Sequence, residues 1–220
     1  MEKTHRMMSI KTISGLSLLV LLLMTACSGR QAKNSGQKEE AQKINCCPPT
    51  IYLQPCNNFT KNEAEKLIPK FKAFIKESSG VELSFEVKPP IQLHDTLMND
   101  SHTRYRADKI IRSIEDNHHD AVIVLLHQDI SCTYKSKKDW GILGLSLVPK
   151  YKICVASDYR LKDKKRDLWK VAAHEFLHSY CNMRHCANDN PSCLMKDAKG
   201  HADFSNKNHL CKSCKSKCNI

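Results

Sequence analysis

Glycine and proline are scarce in this 220-residue chain, at 7 and 8 residues, and aromatic residues make up only 6% of it. So little glycine and proline excludes a collagen-like fibre. A hydrophobic content of 41% excludes a wholly disordered chain and is enough for one modest core. Long apolar runs are also missing, which excludes a multi-pass membrane protein. No internal repeat is visible. Acidic residues are in deficit, 23 against 35 Lys and Arg. What is abundant is cysteine. Twelve in 220 is roughly twice the share of an ordinary cytosolic enzyme. Such cysteines serve as disulfides, metal ligands, a lipid anchor, or a mixture of these.

The N-terminus suggests one use. Lys3, Arg6 and Lys11 precede a mostly apolar stretch over residues 13–26. That stretch is too short to cross a bilayer as a helix and has the form of a secretory signal. Met24-Thr25-Ala26-Cys27 resembles the bacterial lipobox, with Met24 where Leu is commoner. The resemblance implies cleavage after residue 26, a lipid on Cys27, and a place in the bacterial cell envelope, at the periplasmic face or the cell surface. Residues 28–45 are polar and read as a tether, so the divisions expected are 1–26 signal, 27–48 anchor and tether, and 49–220 folded domain.

The net charge of +12 raises the question of nucleic acid. The basic residues are scattered, and no aromatic residues interleave with them as a base-stacking surface needs. No nucleic-acid partner is expected. A solvated basic surface near lipid headgroups is favoured.

Strand and helix signals alternate through the domain. Residues 50–53 read as an edge strand. Residues 61–77 read as a helix with Thr60 as N-cap and Glu63 three residues on, and Pro69 warns of a break. Residues 81–88 alternate as a strand, and 106–117 carry Ile110, Ile111 and Ile114 on one helical face. Residues 121–126 (AVIVLL) read as a buried central strand. Residues 140–148 read as another strand, 151–156 as its hairpin-like return, and 167–181 as a strong helix. The pattern predicts an α/β (α+β) domain with a mixed sheet of four or five strands, an active-site helix and a Cys-rich C-terminal part.

The last helix contains His174-Glu175-Phe176-Leu177-His178. Two His four residues apart lie on one helical face and can reach one metal ion. Glu175 can reach a water on that ion without being a ligand. This is the H-E-x-x-H signature of zinc hydrolases. The candidates for a third ligand are His185, His201 and His209. The long metzincin form sets Gly three residues after the second His and the third His three residues later. Those positions hold Cys181 and Arg184. A one-residue insertion restores the pattern. Asn182 lies three residues before His185, and Asn is the non-glycine residue best able to turn left-handed. The helix would then run one residue longer, turn at Asn182 and return His185 to the metal.

Beyond that turn the chain reads His185-Cys186, then Cys193-Leu194-Met195, then Cys211-Lys212-Ser213-Cys214. A third His with Cys directly behind it, then C-x-M, then C-x-x-C, resembles the archaemetzincin family of zinc metallopeptidases. Ser157-Asp158-Tyr159-Arg160-Leu161 also resembles that family's Ser-x-x-Arg-Leu stretch. The resemblance implies a zincin-type fold and a catalytic zinc on His174, His178 and His185. It implies Glu175 as general base and acid, and a structural zinc on Cys186, Cys193, Cys211 and Cys214. It implies a Met-turn at Met195. Six residues separate Cys186 from Cys193 where the family has about four, and a signal is foreign to a typically intracellular family.

The expected activity is zinc-dependent hydrolysis of peptide bonds, endopeptidase or aminopeptidase, on a peptide or protein substrate lying along residues 142–148. The alternatives are a non-catalytic zinc- or peptide-binding lipoprotein and a metal-storage lipoprotein. Outside the cytosol the four clustered Cys could instead form two disulfides, and Cys218 adds a nearby thiol.

Overall fold

Six consecutive apolar residues, Ala121 to Leu126, have no polar face to turn to water, and a strand covered on both faces is where they fit. A computed structural model describes residues 49–114, 120–188, 190–198, 204–218 and 220. The signal, the lipobox, Cys27 and the tether lie outside these residues, as do Cys46, Cys47 and His201. In chain order the elements are β1 (Thr50–Pro55), α1 (Lys61–Glu65), α2 (Ile68–Ser79), β2 (Ser84–Val87), β3 (Tyr105–Arg106), α3 (Ala107–Ser113), β4 (Ala121–Leu126), β5 (Ile130–Tyr134), β6 (Lys137–Ile142), β7 (Gly144–Ser146), β8 (Ile153–Ser157), α4 (Leu168–Ser179) and α5 (Lys212–Lys215).

β4 is central and wholly buried. Each large side chain there contributes about 1.5–3 kcal/mol by leaving water. The sheet order is β2-β1-β4-β8-β7, parallel throughout except for β7. This is the mixed sheet predicted. One face packs on α2 and α4 through Phe71, Ile75, Phe176 and Leu177, and the other on α3 through Ile110 and Ile111. Among the described residues no helix is long and apolar enough to cross a membrane.

Four expectations are corrected. β1 is not an edge strand, because β2 pairs outside it in parallel. β2 takes the edge, and its exposed Ser84 and Glu86 suit that place. The helix over 61–77 is two helices. Thr60 makes the expected capping box with Glu63, but Pro69 lacks the N–H needed to continue α1 and sits instead in the first turn of α2, where none is needed. The strand over 140–148 is also two. β6 pairs with β5, β7 pairs with β8, and the chain changes sheets at Leu143. α4 stops at Ser179 rather than running long.

A second sheet, β3-β5-β6, stands beside the first. Only β6 has a counterpart in the sequence patterns, at the start of the 140–148 run, because β3 is two residues long and β5 is too short and polar to show a period.

Candidate active site

α4 lies against β8 and β7, with all but one residue of Leu168–Ser179 buried. Such a helix holds its side chains in place by packing on every side. His174 and His178 lie one turn apart on it. The Nδ1 of His174 donates to the Leu194 carbonyl at 2.8 Å, and that of His178 donates to the Met183 carbonyl. Both Nε2 atoms are thereby left as acceptors, and they converge to 3.0 Å. Two nitrogens sharing a tetrahedral zinc at 2.0–2.1 Å stand about 3.3 Å apart.

His185 completes the group. Its ring centroid lies 5.3 Å from that of His174 and 4.8 Å from that of His178, and ligand atoms of all three fall within 4.8 Å of one another. The turn that brings it back is made at Asn182, whose φ of 52° is left-handed, as its spacing predicts. The Met183 N–H closes the turn on the Leu177 carbonyl at 3.1 Å. His209 is not part of this group, and its backbone forms a bridge to Cys193. Burial holds the pKa of His174 well below the ordinary value, helped by the charge of His178, and burial lowers that of His178 too. Neutral imidazoles are what a metal requires. The three-His group therefore fits a zinc ion.

Glu175 is buried at the foot of the same cleft. Burial pushes its carboxyl up to about 8, although the Ser146 hydroxyl, donating to Oε2 at 3.0 Å, pulls the other way. A cation on the neighbouring histidines would draw it down again. Gly144 makes room for this carboxylate, since a Cβ there would stand 2.5 Å from Glu175 Cγ. The cleft has a volume of about 920 Å³ and is lined by Glu175, His178 and His185 together with β6, β7 and Arg160.

The cysteines form a second group directly behind. Sulfur atoms of Cys186, Cys193, Cys211 and Cys214 lie within 4.8 Å of one another, and all four residues are buried. Cys186 and Cys211 are 3.6 Å apart, far beyond a disulfide bond of about 2.05 Å and close to the roughly 3.8 Å edge of a zinc–thiolate tetrahedron. Burial pushes the Cys211 thiol up, but the Cys214 N–H and the three neighbouring thiols outweigh it and bring it down to about 7. A thiol that ionises near neutrality is ready to bind metal. All four are free thiols, as zinc ligation needs and a pair of disulfides does not.

Met195 is fully buried in the turn closed by the Lys196 N–H on the Cys193 carbonyl. It follows Leu194, whose carbonyl holds His174. Its own carbonyl accepts from the Cys186 N–H at 2.7 Å, so one short turn braces both groups.

No family model matches the chain, and no curated protein matches it in sequence. Solved structures do. Archaemetzincin from Methanopyrus kandleri matches over 77% of this chain and 92% of its own, with a TM-score of 0.57 and 18% identity. Archaemetzincin from Archaeoglobus fulgidus, complexed with malonate, matches over 76% and 99%, with 0.55 and 19%. A zinc-dependent peptidase from Methanocorpusculum labreanum matches over 77% and 100%, with 0.56 and 17%. The fold is archaemetzincin-like.

Several contributors to the site of this archaemetzincin-like fold have little or no signal in the sequence. Ser146 and Gly144 act on Glu175 from about thirty positions away. Lys170, buried in α4, donates to the carbonyls of Phe204 at 2.8 Å and Ser205 at 3.0 Å, tying the C-terminal segment to the helix. Arg160 binds Asp129 through two bonds of 2.7 and 2.8 Å and bridges two walls of the cleft. Lys170 could have been noticed as a lysine at an apolar helix position, and Arg160 does stand in the Ser-x-x-Arg-Leu stretch, though its partner Asp129 has no signal. Of the remaining cysteines, Cys56 and Cys154 are buried thiols raised by burial, Cys56 to about 12, and Cys181 and Cys218 share a hydrogen bond.

Proposed function

We propose that this chain is a zinc-dependent peptidase, held at a bacterial cell envelope by a lipid on Cys27. Glu175 carries the catalytic part of the reading. It is a buried carboxylate beside three convergent histidines, facing an open cleft. A protein that only bound or stored metal would have no use for a base there. His174, His178 and His185 would hold the catalytic zinc, and Cys186, Cys193, Cys211 and Cys214 a structural one. Bound at the histidines, zinc supplies Lewis-acid polarisation of a carbonyl and lowers the pKa of water toward about 7.

The chain's own groups do the rest. Glu175 takes the proton of the attacking water and passes it to the leaving amine. Ser146 fixes the carboxylate that receives it, and Gly144 lets it sit close. The Leu194 and Met183 carbonyls hold the imidazoles in one tautomer. β7 is the outermost strand of its sheet, and an extended peptide can pair along it.

The test is cleavage of a peptide library by wild type and by Glu175→Gln. Loss of about 10²–10⁴-fold in rate with both metals retained is expected. Equal cleavage by the variant would refute the role of Glu175. Fatty-acid labelling of wild type and Cys27→Ser in a bacterial host tests the anchor. Label on wild type alone is expected.

A further inference from the structure

Large apolar side chains exposed among the described residues are few: Ile91, Tyr134, Val148 and Tyr159. Three of these four line the same cleft as Glu175, with Tyr134 52% exposed, Val148 36% and Tyr159 56%. Single exposed apolar residues need no explanation, but their gathering at one cleft does. They come from three separate pieces of chain. Tyr134 ends β5, Val148 lies just past β7, and Tyr159 comes just after β8. Trp140 of β6, also in the cleft wall, extends the patch, with its ring centroid 6.0 Å from that of Tyr134.

The charges around the patch define what it can accept. The guanidinium groups of Arg104 and Arg160 both bind Asp129 at 2.7 Å. That carboxylate is therefore committed, and Glu175 is held by Ser146. Aromatic faces can attract a cation. Here Lys135 already lies over Tyr134 at 5.5 Å and Lys137 over Trp140 at 4.5 Å. Exposed Lys162 adds a third positive charge to the rim. An incoming Lys or Arg side chain would meet like charge, and Asp197, the third carboxylate of the lining, is engaged beside His185, 4.0 Å from its Nδ1. An incoming apolar ring would cover the exposed rings and release their water.

We propose that Tyr134, Trp140, Val148 and Tyr159 form a specificity subsite. It takes a large apolar or aromatic side chain of a peptide substrate and rejects basic ones. The identity of the occupant rests on the peptidase reading.

Binding can be measured without turnover on zinc-loaded Glu175→Gln protein, by fluorescence anisotropy. The probes are labelled Ala-rich peptides in which one Phe or one Lys is moved stepwise along the chain. At one position Phe should bind about tenfold or more tightly than Lys. Tyr134→Ser and Tyr159→Ser should each cut that ratio at least about threefold, with recovery in Tyr134→Phe. Ile91→Ser, at an exposed apolar residue outside the cleft, should leave it unchanged. No preference at any position, or a preference that survives both tyrosine substitutions, overturns the subsite. Wild-type cleavage of the same peptides separates the two ideas. Preferential binding without cleavage keeps the subsite and sinks the peptidase reading. Cleavage without preference does the reverse.

Discussion

The two ligand groups of this molecule are neighbours in sequence and opposites in construction. Two of the three histidines stand on one long, packed helix, and the third, His185, is nearly half exposed in an open cleft. The four cysteines come from loops and the four-residue α5, and all are buried. An open group leaves a position for chemistry, whereas a closed group leaves none. The difference also concerns what depends on what. The histidines are placed by a helix that the apolar core would form in any case. The cysteines lie where there is little regular structure, so a metal bound there would supply much of the order.

The largest effect should come from breaking the closed group. Cys214→Ser is expected to lower the melting midpoint by about 10 °C or more, since structural zinc contributes on the order of 10 kcal/mol of folding energy. Metal analysis should then find both groups depleted. His178→Ala should empty only the histidine group and move the midpoint by about 3 °C or less. Equal melting of the two variants would break the contrast.

Next in size is Gly144→Ala. Its methyl group would press on Glu175 Cγ at 2.5 Å and on the Val155 carbonyl at 2.9 Å. Displacing a reacting group by about 1 Å costs roughly 10²-fold, so a loss of that order in kcat/KM is expected with metal content intact. Ser146→Ala removes only the hydrogen bond to Glu175 and should cost roughly tenfold in kcat. Smallest is Asn182→Ala, which forces a residue with no local hydrogen-bonding side chain into a left-handed turn at about 1 kcal/mol. Titration should show roughly five- to tenfold weaker zinc binding at the histidines and no change at the cysteines. Asn182→Gly should behave as wild type. Weakening at both groups would mean that the turn serves them jointly.

Features carried by short stretches of chain were legible in the sequence. The HExxH helix, the left-handed turn at Asn182 and the buried run of β4 each arise from local spacing or local sterics. The four-cysteine group was legible for a different reason, because sulfur ligands are rare enough for their order to stand out. The position of β1 within the sheet could not be read, since it depends on where β2 lands after a crossover of two helices. Ser146 and Gly144 were silent, and the pairing of Arg160 with Asp129 could not be read, because each meets its partner across about 30 residues. The second sheet rests on strands too short to show a period.

His185 and Cys186 are joined by one peptide bond, yet one faces the cleft and the other the buried sulfurs. Their α-carbons are about 3.8 Å apart, with no slack between them. The dipeptide therefore ties the histidine group directly to the cysteine group, so a displacement of one is felt at the other. If the proposed activity holds, reagents that attack these four sulfurs should lower it even in a Cys132→Ser background, which removes the thiol in the cleft itself.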